Sequence, residues 1–148
     1  MAWGKFKSVP ACRLTRSSTA QTFARNAFTP ITFDSEAFDT DSMHSTTSNT
    51  SRITINTAGV YSLNAHINSP VGGTATQVLI RFIKNGSQVG HYTNNGEVTN
   101  TDAQVNSLIW EAVVGDYFEA SVYWYAASGG PYTFSGAGFS AVRIGAIA

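Results

Sequence analysis

The chain has one cysteine, Cys12, so no internal disulfide can staple it and its stability rests on packing and on association. Charge is scarce at 12% of 148 residues, and the Glu, Lys and Leu from which amphipathic helices are built are too few for a helical protein. No apolar run approaches the roughly 20 residues needed to span a bilayer. Residues 1–7 lack the apolar stretch of a secretion signal, which predicts synthesis in a cytoplasm. Motifs that carry chemistry are missing as well. There is no His-Glu-x-x-His zinc spacing and no Gly-x-Ser-x-Gly nucleophile elbow. Gly72-Gly73 and Gly129-Gly130 stand in no strand-to-helix context and beside no lysine, which excludes a phosphate loop.

Present instead are Ser, Thr, Asn and Gly at the polar positions and aromatics at 12%, a balance that favours strands and turns. The clearest stretch is 59–68. Tyr61, Leu63, Ala65 and Ile67 alternate with Ser62, Asn64, His66 and Asn68, the period of a strand with one dry and one wet face. Similar pieces recur along the chain. Ile31 and Phe33 face inward after Pro30, Phe38 anchors a short piece, and Ile53 and Ile55 alternate before the turn at Ala58-Gly59. Val78, Ile80 and Phe82 make one face of a strand whose other face carries Leu79 and Ile83, so both sides need cover. Asn85-Gly86 is a hairpin signal. Leu108, Trp110 and Ala112 share a face, and Gly115-Asp116 leads into a strand where Phe118, Ala120, Val122 and Trp124 alternate with Tyr117, Tyr123 and Tyr125. Residues 39–51, 93–102 and 128–132 read as polar loops. About ten short strands, with turn signals roughly every 8 to 12 residues and no helix, predict one all-β antiparallel sandwich or barrel over residues 9–148, preceded by an arm, residues 1–8.

The order Phe33-Asp34, Gly59-Val60-Tyr61, Lys84-Asn85-Gly86, Gly115-Asp116-Tyr117-Phe118 and Phe134-Ser135-Gly136 resembles the trimeric jelly rolls of the complement globular head and tumour necrosis factor. The resemblance spans about Ala11 to Ile144 and implies a jelly-roll homotrimer. The run ending in Phe33-Asp34, the acidic turn after Phe38 and Gly59-Val60-Tyr61 are similar to the versions found in bacteriophage virion proteins and bacterial surface proteins. The chain has neither the collagen stalk nor the membrane anchor of the vertebrate members.

These readings place candidate residues. The core is expected to hold Phe33, Ile53, Ile55, Tyr61, Leu63, Ile67, Trp110, Phe118 and Val122. The outward tyrosines Tyr117, Tyr123 and Tyr125, with Leu79, are more apolar surface than a lone domain leaves in water, which makes them the candidate trimer interface. Net charge is zero, yet Lys5, Lys7, Arg13, Arg16 and Arg25 all precede the first acid, Asp34. Those basic residues lie over strand and turn without a docking helix or an aromatic platform, so a negatively charged protein surface suits them better than nucleic acid. Trp3, Lys5, Phe6 and Lys7 are the candidate attachment residues of the arm. Asp39, Asp41 and His44 are closely spaced oxygen and nitrogen ligands, a weak pattern for a cation that polar turns also generate. His44, His66 and His91 sit in no catalytic spacing and read as loop or surface residues. No cofactor is implied. The expectation is a non-enzymatic bacteriophage virion protein, a decoration, fibre or spike knob at the particle surface whose partners are its own copies and a capsid or tail protein. The alternative is a receptor- or glycan-binding head of a phage tail or bacterial cell surface, with the three polar loops as contact sites.

Overall fold

In the computed structural model, residues 8–16, 19–68, 77–95, 103–125, 131–134 and 136–147 are described. Every regular element among them is a strand. In chain order these are β1 (Ala11–Arg16), β2 (Gln21–Phe23), β3 (Thr29–Pro30), β4 (Ser35–Asp39), β5 (Arg52–Thr54), β6 (Gly59–Ile67), β7 (Gln77–Lys84), β8 (Ser87–Asn95), β9 (Gln104–Ala112), β10 (Tyr117–Tyr125), β11 (Tyr132–Phe134) and β12 (Ala137–Gly145). One five-stranded sheet runs β4-β1-β12-β6-β9. A second runs β3-β10-β7-β8 with β5 also paired to β10, and β2 pairs β11 in a small third sheet. All the pairings are antiparallel. The arm expected over residues 1–8 lies, except for Ser8, outside the described residues.

The two large sheets close on one core. Phe139 of β12 meets Phe82 of β7 at 5.9 Å and Phe33 at 6.0 Å between ring centroids, joining the layers. The period-two alternation of β6 is what makes this possible, because it turns Tyr61, Leu63, Ala65 and Ile67 to one side. Phe33, Ile53, Ile55, Tyr61, Leu63, Ile67, Phe118 and Val122 are each at most 1% exposed. Polar ends inside the core are satisfied: the Tyr61 hydroxyl donates to Thr57 O at 2.6 Å and Trp124 Nε1 to Phe23 O at 3.0 Å. Asn85 and Gly86 both take positive φ, the requirement of the tight hairpin that joins β7 to β8.

Two expectations need correction. Trp110 is 37% exposed rather than part of the core. It belongs to β9, the last strand of its sheet, and lines a surface cavity together with Lys84 and Asp116. Opposite the indole stands that ion pair, 2.8 Å apart, and not an apolar layer. Phe38 lies on the edge strand β4 and is exposed. Residues 40–51 form the expected loop between β4 and β5, and it is anchored: Met43 is buried in the core, Thr54 N donates to Met43 O at 2.7 Å, and Phe33 N donates to Thr50 O at 2.9 Å.

A polar clamp joins the sheet edges. Between Ile80 and Phe82 the β7–β8 register shifts, so three residues of β8 stand opposite Arg81. Asn106 of β9 reaches into the gap, and its Nδ2 donates to Ile80 O at 2.9 Å and to His91 O at 3.1 Å. The side chain is buried, although nothing in the hydrophobic pattern marks β9 as carrying inward amides at Gln104 and Asn106.

Candidate functional site

Neither reactive chemistry nor a metal site is assembled among the described residues. Cys12 is buried in the core, and burial, with the nearby Asp39 carboxylate, pushes its thiol up to about 12, so it carries no thiolate at neutral pH. Asp39 and His44 are brought together, but for the backbone: Asp39 Oδ1 accepts from Asp41 N at 3.1 Å and Oδ2 from His44 N at 3.0 Å. The His44 ring is held between Glu36 Oε1 at 2.8 Å and Thr50 O at 3.2 Å. Asp41 points elsewhere, into a cavity of about 440 Å³ lined also by Val9, Pro10, Thr40, Arg143 and Ile144. No cluster of three or more His, Cys, Asp or Glu among the described residues is arranged to hold a metal ion.

What the fold does build is a difference between its two outer faces. On the second sheet the chain itself covers two of the β10 tyrosines, while Tyr92 of β8 is left 51% exposed. The Arg52 guanidinium lies over the Tyr117 ring at 3.9 Å, and Phe28 packs against Tyr123 at 5.1 Å. Leu79 is only 7% exposed, so it keeps almost no surface for a partner, and of the three outward tyrosines Tyr125 alone is markedly exposed, at 39%. The cover comes from Phe28 and Arg52, which are distant in sequence and meet these rings only after folding.

The first sheet is different. Because directly opposed residues share a face, β12, β6 and β9 present Val142, Ser62 and Ile109 in one row and Gly138, His66 and Val105 in another. Between these rows stand Arg13, Ser140, Asn64 and Ser107. Ile109 is 63% exposed, and Val105, Val142 and Ile144 are exposed as well. The apolar surface continues round the β9 edge through Trp110, Val113 and Val114. His66 lies flat on the sheet, where a Cβ at Gly138 would overlap its ring. Burial, and then the Arg13 charge, lower its pKa, so it is neutral at neutral pH. The attachment residues Trp3, Lys5, Phe6 and Lys7 lie outside the described residues. Their root does not: Pro10 O accepts from Arg143 N at 2.9 Å, which puts residues 8–10 beside the end of β12.

The same arrangement of strands occurs in solved structures. The globular domain of zebrafish complement 1qA protein superposes with a TM-score of 0.64 at 17% identity, over 93% of this chain and 99% of that one. The fold is the complement-head and tumour-necrosis-factor jelly roll. PRD1 vertex protein P5 superposes with a TM-score of 0.68 at 16% identity, again over 93% and 99% of the two chains. Eiger TNF from S. frugiperda does so with 0.61 at 10% identity, over 95% of each. At these identities the likeness is one of fold. No protein-family model matches the chain, and no curated protein sequence does.

Proposed function

We propose that this chain is a non-enzymatic structural protein of a bacteriophage particle, a homotrimeric jelly-roll knob held at the virion surface through its N-terminal segment. One observation carries the reading: Leu79, Tyr117 and Tyr123 of the second sheet are largely covered by their own chain, while the first sheet leaves Val105, Ile109 and Val142 on an open face and Trp110, Val113 and Val114 on the adjoining edge. Face and edge are two different surfaces of one chain, so contact between copies is head-to-tail, a geometry that makes a three-membered ring when each contact turns the chain by a third of a revolution. This relocates the interface from Leu79, Tyr117, Tyr123 and Tyr125 to the first sheet. Likeness to a vertex protein supports the virion, with Trp3, Lys5, Phe6 and Lys7 as the fastening to a capsid or tail protein. Deleting residues 1–8 is expected to leave a trimer that no longer attaches to particles lacking the native protein. Full occupancy by the truncated chain would refute the fastening, and sedimentation of the intact chain as a monomer at micromolar concentration would refute the trimer.

A second reading, a receptor- or glycan-binding head of a phage tail or bacterial cell surface, is favoured by one feature of the register. β8 ends at Asn95 opposite Val78, and β10 ends at Tyr125 opposite Gln77, so both strands finish at one end of the second sheet. The polar stretches 96–102 and 128–132 follow these two strands in sequence and, but for residues 131 and 132, lie outside the described residues. Substitutions there that abolish adsorption while assembly persists would favour this reading over pure decoration.

A further inference from the structure

Around the second sheet, β5 and β7 carry three strong cations, and two of them are neutralised. Arg52 pairs with Glu119 at 3.4 Å, and Lys84 with Asp116 at 2.8 Å. For Arg81, in the middle of β7, no carboxylate among the described residues lies within ion-pair distance. Its guanidinium is stacked on the Phe28 ring with Cζ 3.6 Å from the centroid, and Phe28 is itself wedged against Tyr123. One nitrogen, Nη1, donates to Gln88 Oε1 at a long 3.3 Å, and Nε is buried without an acceptor. Burial lowers the guanidinium's pKa, but an arginine stays protonated at neutral pH. The group is thus a fixed, partly desolvated cation with donors to spare. Stacking has already removed the rotamer freedom that a bidentate partner would otherwise cost.

The surroundings select among anions. Tyr125, the next residue on this face of β10 after Tyr123, is exposed, and its register partner is Gln77. Rings and amides around one guanidinium match a sugar that carries a carboxylate, with its C–H faces on the rings, its hydroxyls on the amides and its acid on the fork. An acidic protein partner would need apolar anchors beside the cation, and the exposed aliphatic residues lie on the first sheet.

We propose that Arg81, with Phe28, Tyr123 and Gln88 around it and Tyr125 farther along the same face of β10, is a subsite for the carboxylate of an acidic sugar, of the uronic acid class found in surface polysaccharides. The site lies within one chain and does not depend on the assembly reading. The test titrates the intact protein at constant ionic strength with glucuronate, glucose, acetate, inorganic phosphate and a glutamate-rich peptide, followed by NMR shifts. Saturable glucuronate binding is expected, with glucose and acetate each about tenfold weaker or more. Arg81→Met keeps the stem on Phe28 and removes the charge, and is expected to lose about tenfold or more in affinity. Equal glucuronate binding by wild type and Arg81→Met overturns the proposal. So does binding of acetate or phosphate as tight as glucuronate, preference for the peptide, or no saturation at all. Should Arg81→Met fail to fold, Tyr125→Ala at an exposed position takes its place: several-fold weaker glucuronate binding supports the subsite, and unchanged binding overturns it.

Discussion

Ile109→Asp tests the proposed interface most directly. The side chain is 63% exposed on the open face of the first sheet, so its removal creates no cavity, and the isolated chain should keep its thermal midpoint to within a few degrees. Full burial of an isoleucine contributes up to about 3 kcal/mol, so the exposed fraction of Ile109 has about 2 kcal/mol left to gain from a neighbouring copy. A closed ring of three repeats that contact three times, for about 6 kcal/mol in all. That amounts to about four powers of ten in the trimer association constant. The concentration of half-dissociation varies as the inverse square root of that constant and should rise about a hundredfold with Ile109→Ala. Aspartate adds the desolvation of a carboxylate and should leave monomer throughout the micromolar range. Sedimentation velocity across a dilution series reads both variants. An Ile109→Asp protein that stays trimeric at one micromolar would refute the placement of the interface on this face, whatever holds the trimer together.

Asn106→Leu should cost about 2–3 kcal/mol, because Ile80 O and His91 O lose their shared donor inside the sandwich. Urea unfolding would show a lower midpoint at unchanged slope, and a loss below about 0.5 kcal/mol would mean that the clamp is dispensable. Asp116 tests the pH dependence. Burial raises its pKa, but hydrogen bonds from Lys84, Val113 N and Asn85 outweigh this and hold it below the ordinary carboxylate value. Its contribution is therefore fully present above about pH 4 and lost as pH falls through the depressed folded value. Asp116→Asn should cost about 1–3 kcal/mol at pH 7 and progressively less toward pH 2, and an equal cost at both ends would refute the assignment.

How much of this was legible beforehand differs by element. In β6 the alternation is unbroken, and Tyr61, Leu63 and Ile67 lie where the pattern puts them, because a period of two leaves one face for the core. In β9 the alternation is broken, with Val105 and Ile109 apolar on the outer side and Gln104 and Asn106 polar on the inner, and there Trp110 is exposed and Asn106 is buried. Periodicity gives the side of a sheet on which a residue stands, not whether another layer lies opposite, and β9 stands at an edge where the other sheet offers a bulge and an ion pair. Residues 40–51 look like loop by composition, and Met43 alone among them signals a buried anchor.

The all-β class and the strands of the core were already set by the chain's composition and local period. Only the tertiary structure decided which apolar surface is left over. The tyrosines of β10 and the aliphatics of β9 and β12 are equally apolar to a reader of the chain. Phe28 and Arg52 reach the former in the folded protein, while no described residue of the chain covers the latter, because cover depends on contacts between residues far apart in sequence.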